Sequence, residues 1–120
     1  MAKILAVDDS RSIRQMLVLT LREAGHEVVE ADDGVEALAY AVRDSADLAI
    51  VDVNMPRLDG IGLTRQLREL AGWRFTPILI LTTESSREKK AEGRAAGATG
   101  WLVKPFDPES LLATIRKVMR

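Results

Sequence analysis

The sequence predicts an α/β domain built as a doubly wound parallel sheet, and three observations carry that reading. Runs such as Ile4-Leu5-Ala6-Val7, Leu48-Ala49-Ile50-Val51 and Ile78-Leu79-Ile80-Leu81 are continuously apolar rather than alternating, as parallel strands covered by helices on both faces are. Strand signals at roughly 3–8, 27–31, 47–52, 77–81 and 99–103 alternate with helix signals at roughly 10–24, 33–44, 59–71, 85–96 and 108–119, giving five βα units. The strand ends are polar: Asp8-Asp9, Asp52, Thr82 and Lys104.

Right-handed crossovers and helices on both faces leave few topologies open. The flavodoxin-like (βα)5 order 2-1-3-4-5 is adopted from known sheets of this kind rather than from any one residue. Along the chain, strand one gives way to a helix that Asp9 or Ser10 can cap. Ile13, Leu17, Leu21 and Ala24 form its apolar stripe, and Gly25 suits a left-handed stop. Strand three ends at Asp52 and opens into Val53-Asn54-Met55-Pro56-Arg57-Leu58-Asp59-Gly60. This loop has a Pro-fixed turn leading into helix three and can offer the Asn54 main-chain carbonyl to a ligand. The helix at 85–96 has only Ala91, Ala95 and Ala96 to bury and carries Gly93 inside it, at a cost of about 1 kcal/mol against alanine. It is expected to be the least stable helix, either a movable element or an ordinary solvated one. The last helix, 108–119, is apolar-patterned.

At 120 residues the chain is read as one domain, 1–120, without a linker and able to bury a core unaided. A formal net charge of −1 argues against an electrostatic grip on nucleic acid or an anionic membrane. Without cysteine there is no disulfide frame, thiolate metal site or cysteine nucleophile, and a reducing cytoplasm is the expected location. The N-terminus reaches Asp8-Asp9 after too few apolar residues for a signal peptide, and no segment has the length of a membrane span. The sequence stops at Arg120, straight after the last helix, so the expectation is a protein acting through its own surface.

In open α/β sheets the ligand crevice lies outside the carboxyl ends of the strands, so residues far apart in sequence can share one pocket. Asp52, held at the end of a buried strand, is a competent nucleophile toward phosphorus. Asp8, Asp9 and Asp52 would repel one another unless a cation joined them. One magnesium ion is the natural choice, bound by carboxylates, the Asn54 carbonyl and water. Lys104 would place a point charge on a transferred phosphoryl group and Thr82 would donate its hydroxyl to another of its oxygens. Taken singly each has a structural reading: an acidic pair caps a helix, Asp52 caps a loop, threonine is common in strands, and Lys-Pro marks a turn. What outweighs those readings is that all five sit at one edge of one predicted sheet, with no competing polar cluster.

Val7-Asp8-Asp9-Ser10, Val51-Asp52-Val53-Asn54-Met55-Pro56, Leu81-Thr82-Thr83-Glu84 and Gly100-Trp101-Leu102-Val103-Lys104-Pro105-Phe106 together resemble the receiver domain of two-component response regulators, over the whole chain. The resemblance implies that Asp52 accepts a phosphoryl group from a sensor histidine kinase. Asp8, Asp9, Asp52 and the Asn54 carbonyl would bind magnesium, and Thr82 and Lys104 would contact the phosphoryl oxygens. It implies a cis Lys104-Pro105 bond. Within the family the chain is most similar to the single-domain chemotaxis regulators. In these, phosphorylation draws the threonine toward the phosphate, turns a strand-five aromatic inward and remodels the face of helix four, strand five and helix five for the flagellar motor switch protein. Thr82 and Trp101 would be the switch pair here. Trp101 stands where tyrosine is usual, leaving only an indole N–H donor, and Val53 stands where relatives carry tryptophan. Asn54 and Glu84 would tune dephosphorylation, and a polar pair there suggests a short-lived signal. The implied partners are a chemotaxis-type histidine kinase, the motor switch protein and a phosphatase, met by a monomer that catalyses only its own phosphorylation and dephosphorylation.

Two other classes fit less well. A haloacid-dehalogenase-type phosphatase needs a second acid two residues after its nucleophile, where Asn54 stands. A flavodoxin-like carrier needs a phosphate-cradling first loop, where Asp8-Asp9 stands. A receiver serving as relay intermediate, phosphate sink or adaptor would share the pocket, and the face carrying Lys89, Lys90, Ala98, Trp101 and Lys117 would tell them apart.

Overall fold

Continuous burial of the inner strands, with alternate residues facing opposite helix layers, organises the computed structural model, which describes residues 2–119. The elements are β1 (Lys3–Val7), α1 (Arg11–Glu23), β2 (Glu27–Ala31), α2 (Gly34–Ala41), β3 (Leu48–Val51), α3 (Gly60–Arg68), a 3₁₀ turn (Ala71–Trp73), β4 (Ile78–Thr82), α4 (Arg87–Ala96), β5 (Gly100–Val103) and α5 (Pro108–Val118). The strands form one parallel sheet in the order β2-β1-β3-β4-β5. Ile4, Ala6, Ile50, Leu79 and Leu81 pack with Leu17, Val18 and Leu21 of α1 and Leu111 and Ile115 of α5. Leu5, Val7, Ala49, Val51, Ile78 and Ile80 pack on the other face with Ala37, Ile61, Leu63, Leu67 and Ala96 of α2, α3 and α4. Continuous apolar runs are therefore required, because consecutive residues meet helices on opposite faces.

Each helix starts at a side-chain cap: Ser10, Asp33, Asp59, Ser86 and Asp107 accept from the backbone N–H three residues on. Ser10, not Asp9, caps α1, and Gly25 takes the left-handed conformation after it, at φ 92°. Two expected burials differ. In α1 Ala24 is exposed and Val18 is buried instead, because the chain has left the helical path by Ala24. In α4 Ala91 and Ala95 are exposed, and the residues buried are Gly93 and Ala96.

The register sets the functional edge. Val7 pairs with Val51, so Asp8 and Asp52 leave adjacent strands at the same level. The next ladder bonds hold them there: Asp8 N donates to Ala31 O at 3.2 Å, Asp52 N to Val7 O at 3.0 Å and Lys104 N to Thr82 O at 2.8 Å. Gly60, at the start of α3, lets that helix close on the site. A Cβ there would lie 2.1 Å from the Asp52 carbonyl oxygen.

Candidate functional site

Rigid strand ends bring four of the expected residues into one cluster. Lys104 Nζ donates to Asp8 Oδ2 at 2.6 Å and to Asp52 Oδ2 at 3.2 Å. Its side chain is only 6% exposed, those of Asp8 and Asp52 2% and 9%, so this is a buried, charge-assisted bridge joining the ends of three strands. Asp9 is exposed beside it, and one carboxylate oxygen from each of Asp8, Asp9 and Asp52 lies within 4.8 Å of the others. Burial pushes the Asp8 carboxyl above the ordinary aspartate range, against the pull of the Lys104 and Ser10 hydrogen bonds. Three carboxylates facing one ammonium form a hard-oxygen donor set with surplus negative charge, which fits a divalent ion such as magnesium.

Thr82 closes β4 fully buried, and its Oγ1 accepts from Glu84 N at 3.3 Å. The carbonyl of Glu84 accepts from Trp101 Nε1 at 2.9 Å, so the residue after next from the threonine is held at both ends. Asn54 is exposed in the loop after Asp52, and Glu84 is half-buried on the other side of the edge. The Lys104-Pro105 bond is cis, as the resemblance implies.

Three contacts at this edge had no sequence signal. Arg14 Nη1 donates to the Asp8 carbonyl at 2.6 Å while its Nε meets Glu30 Oε1 at 3.2 Å, pinning the first acidic residue from α1. Arg57, at φ 68° in the loop after Asp52, pairs through Nε (3.0 Å) and Nη2 with Asp33, the cap of α2. The side-chain pairs span 16 and 24 positions and the other contact joins a side chain to a carbonyl, so nothing in residue order announces them. Gly60 was legible only as a turn residue, its role being the close approach to Asp52.

A doubly wound parallel sheet with acidic residues, a threonine and a lysine on its carboxyl edge defines a receiver. The chain belongs to the response regulator receiver domain family, whose model matches residues 4–116. It is 58% identical to chemotaxis protein CheY4 of Vibrio cholerae, with a TM-score of 0.94 over 98% of each chain. The receiver domain of sensor histidine kinase PA1611 from Pseudomonas aeruginosa PAO1, solved with a magnesium ion coordinated in its active-site cleft, aligns at 29% identity and a TM-score of 0.92, covering 98% of this chain and 97% of that one. Response regulator MprA of Mycobacterium leprae is 47% identical over 118 residues, 98% of this chain and 51% of that protein. The chain thus spans about half the length of the curated relatives it matches. Receiver domains take phosphoryl groups from histidine kinases and bind magnesium at an acidic site, and Asp8, Asp9 and Asp52 bring three carboxylates together at the corresponding edge here. Among the described residues no helix is long and apolar enough to cross a membrane.

Proposed function

We propose that this chain is a phosphorylation-activated switch in which Asp52 accepts a phosphoryl group from a chemotaxis-type histidine kinase and passes the signal to the flagellar motor switch. The observation that supports the chemistry is the Lys104 bridge, which aims one ammonium at two strand-end carboxylates. An Asp52 oxygen attacks phosphorus: the P–O bond forms as the P–N bond of the phosphohistidine breaks. The departing imidazole keeps the electron pair and leaves neutral when its other nitrogen carries a proton. Lys104 balances charge on a phosphoryl oxygen, and Thr82, whose Oγ1 already accepts from Glu84 N, has its hydroxyl proton free to donate to another. Magnesium bound by Asp8, Asp9, Asp52 and the Asn54 carbonyl would neutralise charge on the incoming group. Asn54 and Glu84 govern how water reaches the acyl phosphate, and the domain turns over no other substrate.

The chemotaxis output is supported by the near full-length likeness to CheY4. The half-length match to MprA and to a probable transcriptional regulator, ycf27 of Porphyridium aerugineum, favours a second reading, a receiver working with a transcriptional output. The deciding experiment measures binding to the N-terminal peptide of the host's flagellar switch protein, with and without magnesium plus beryllofluoride as phosphoryl mimic. Tighter binding only in the activated state supports the motor role; activation without peptide binding leaves a relay, sink, adaptor or transcriptional receiver. In parallel, Lys104→Ala should still take label from acetyl phosphate yet gain no peptide affinity.

A further inference from the structure

The glycine in the middle of α4 is a poor helix former in a helix with little else to anchor it, so its presence asks for a reason. Trp101 supplies one. A Cβ at Gly93 would lie 2.7 Å from Trp101 Cζ3 and 3.1 Å from Cε3, the first closer than real Cβ atoms approach. The bare backbone of Gly93 is thus the seat of the indole six-membered ring. From that seat the five-membered ring reaches the Glu84 carbonyl with Nε1 at 2.9 Å, and Glu84 N reaches Thr82 Oγ1. A continuous path runs from the buried threonine at the phosphoryl edge, through the loop that leads to the Ser86 cap, to the middle of α4.

We propose that Gly93 is the positioning residue of this switch: by leaving room for an indole on α4 it lets Trp101 hold the Glu84 carbonyl, and so sets both the loop beside Asp52 and the lifetime of the phosphoryl group. A tyrosine would carry its donor on the end of a single ring. An indole carries its donor on the five-membered ring while the six-membered ring needs space beside it, and glycine on the facing helix provides that space. The effect on lifetime follows from the proposed role of Glu84 in tuning dephosphorylation. That part rests on the reading of Asp52 as acceptor; the seating of Trp101 does not.

The test is Gly93→Ala, measured with acrylamide quenching of tryptophan emission, the rate of phosphoryl loss after acetyl phosphate labelling in magnesium, and thermal melting. Trp73 is fully buried and common to all variants, so the quenchable emission reports Trp101. Gly93→Ala should stay folded, the better helix propensity of alanine offsetting part of the cost of unseating the indole, yet at least double the quenching constant and change the rate of phosphoryl loss at least twofold. In a Trp101→Leu background the same substitution should leave the rate where Trp101→Leu alone puts it. Unchanged quenching in Gly93→Ala, or an equal change of rate with and without Trp101, overturns the proposal. The quenching needs no phosphoryl donor. Failure of the native chain to take label would therefore count against Asp52 as acceptor, while quenching would still decide the seat.

Discussion

The two ends of the sheet handle buried polarity in opposite ways. At the amino end Trp73 is fully buried and its Nε1 donates to the carbonyls of Ala41 and Asp44, at 3.1 and 3.2 Å. Beside it Arg68 spends its guanidinium on carbonyls: Gly97 through Nε and Nη2, Trp73 and Thr76 at 2.7 Å each, and Arg74 at 3.2 Å. Burial lowers its proton affinity, and among the described residues it forms no ion pair. At the carboxyl end the buried groups are charges that mostly meet one another: Asp8, Lys104 and Asp52. Donors saturated by the main chain fix shape, whereas charges balanced only by other charges can be re-partnered when a ligand arrives. The first end is built to stay and the second to change.

Breaking the amino end should cost the most stability. Trp73→Ala removes a large buried side chain and two hydrogen bonds, and should destabilise by about 3–5 kcal/mol. The molecules that remain folded should still label from acetyl phosphate. Urea unfolding read by circular dichroism gives the first quantity and labelling per folded molecule the second; loss of labelling in folded protein would mean the two ends are not separable. Arg68→Met comes next, because it strands carbonyls of the 3₁₀ turn and of the α4 terminus. A loss of about 1–3 kcal/mol is expected. Arg68→Lys should recover little of it, since one ammonium cannot span those carbonyls as a planar fork does. Full recovery by lysine would show that charge, not shape, matters there.

At the carboxyl end the ordering reverses. Asp52→Asn turns a charge-assisted hydrogen bond of 3.2 Å into at most a neutral one but also removes one of three crowded carboxylates, and Lys104 keeps its shorter bond to Asp8. The two effects oppose each other, so stability without divalent ions should move by less than about 1 kcal/mol, while labelling by acetyl phosphate disappears. A loss as large as that of Arg68→Met would place Asp52 among the structural groups instead.

The difference between the two ends also explains what the sequence could announce. Three continuous apolar runs and five helical patterns were legible because burial leaves a strong local imprint, the partly exposed edge strands left a weaker one, and Asp8-Asp9, Asp52, Thr82 and Lys104 were legible because each follows or closes a strand signal. Trp73 and Arg68 left no comparable trace: their partners are main-chain carbonyls, which every residue possesses. The segment at 71–73, expected to lie at or just past the end of α3, is a separate 3₁₀ turn because Trp73 folds inward there. Gly93 read as a defect of α4, since the ring that occupies its empty side arrives from another strand.

The smallest effect compares the charged pairs flanking the two ends. Asp33 is held below the ordinary aspartate value of 3.8, first by the Glu36 backbone N–H and then by Arg57; Asp44 is held below it first by Lys3, which in turn is raised above the usual lysine range. Because both folded-state values are depressed, the stability each carboxylate contributes is present above the unfolded value and is lost as pH falls through the folded one. Asp33→Asn and Asp44→Asn should each flatten the acid limb of a stability–pH profile. Salt should separate them. The Lys3–Asp44 pair bonds at 2.7 Å with side chains 29% and 50% exposed, open to screening, whereas the leading partner of Asp33 is a backbone dipole beside a side chain only 10% exposed. Raising ionic strength should therefore erase most of the Asp44 contribution and leave most of that of Asp33. Equal loss of both would show that the Arg57 charge, and not the cap of α2, is what holds Asp33 ionised.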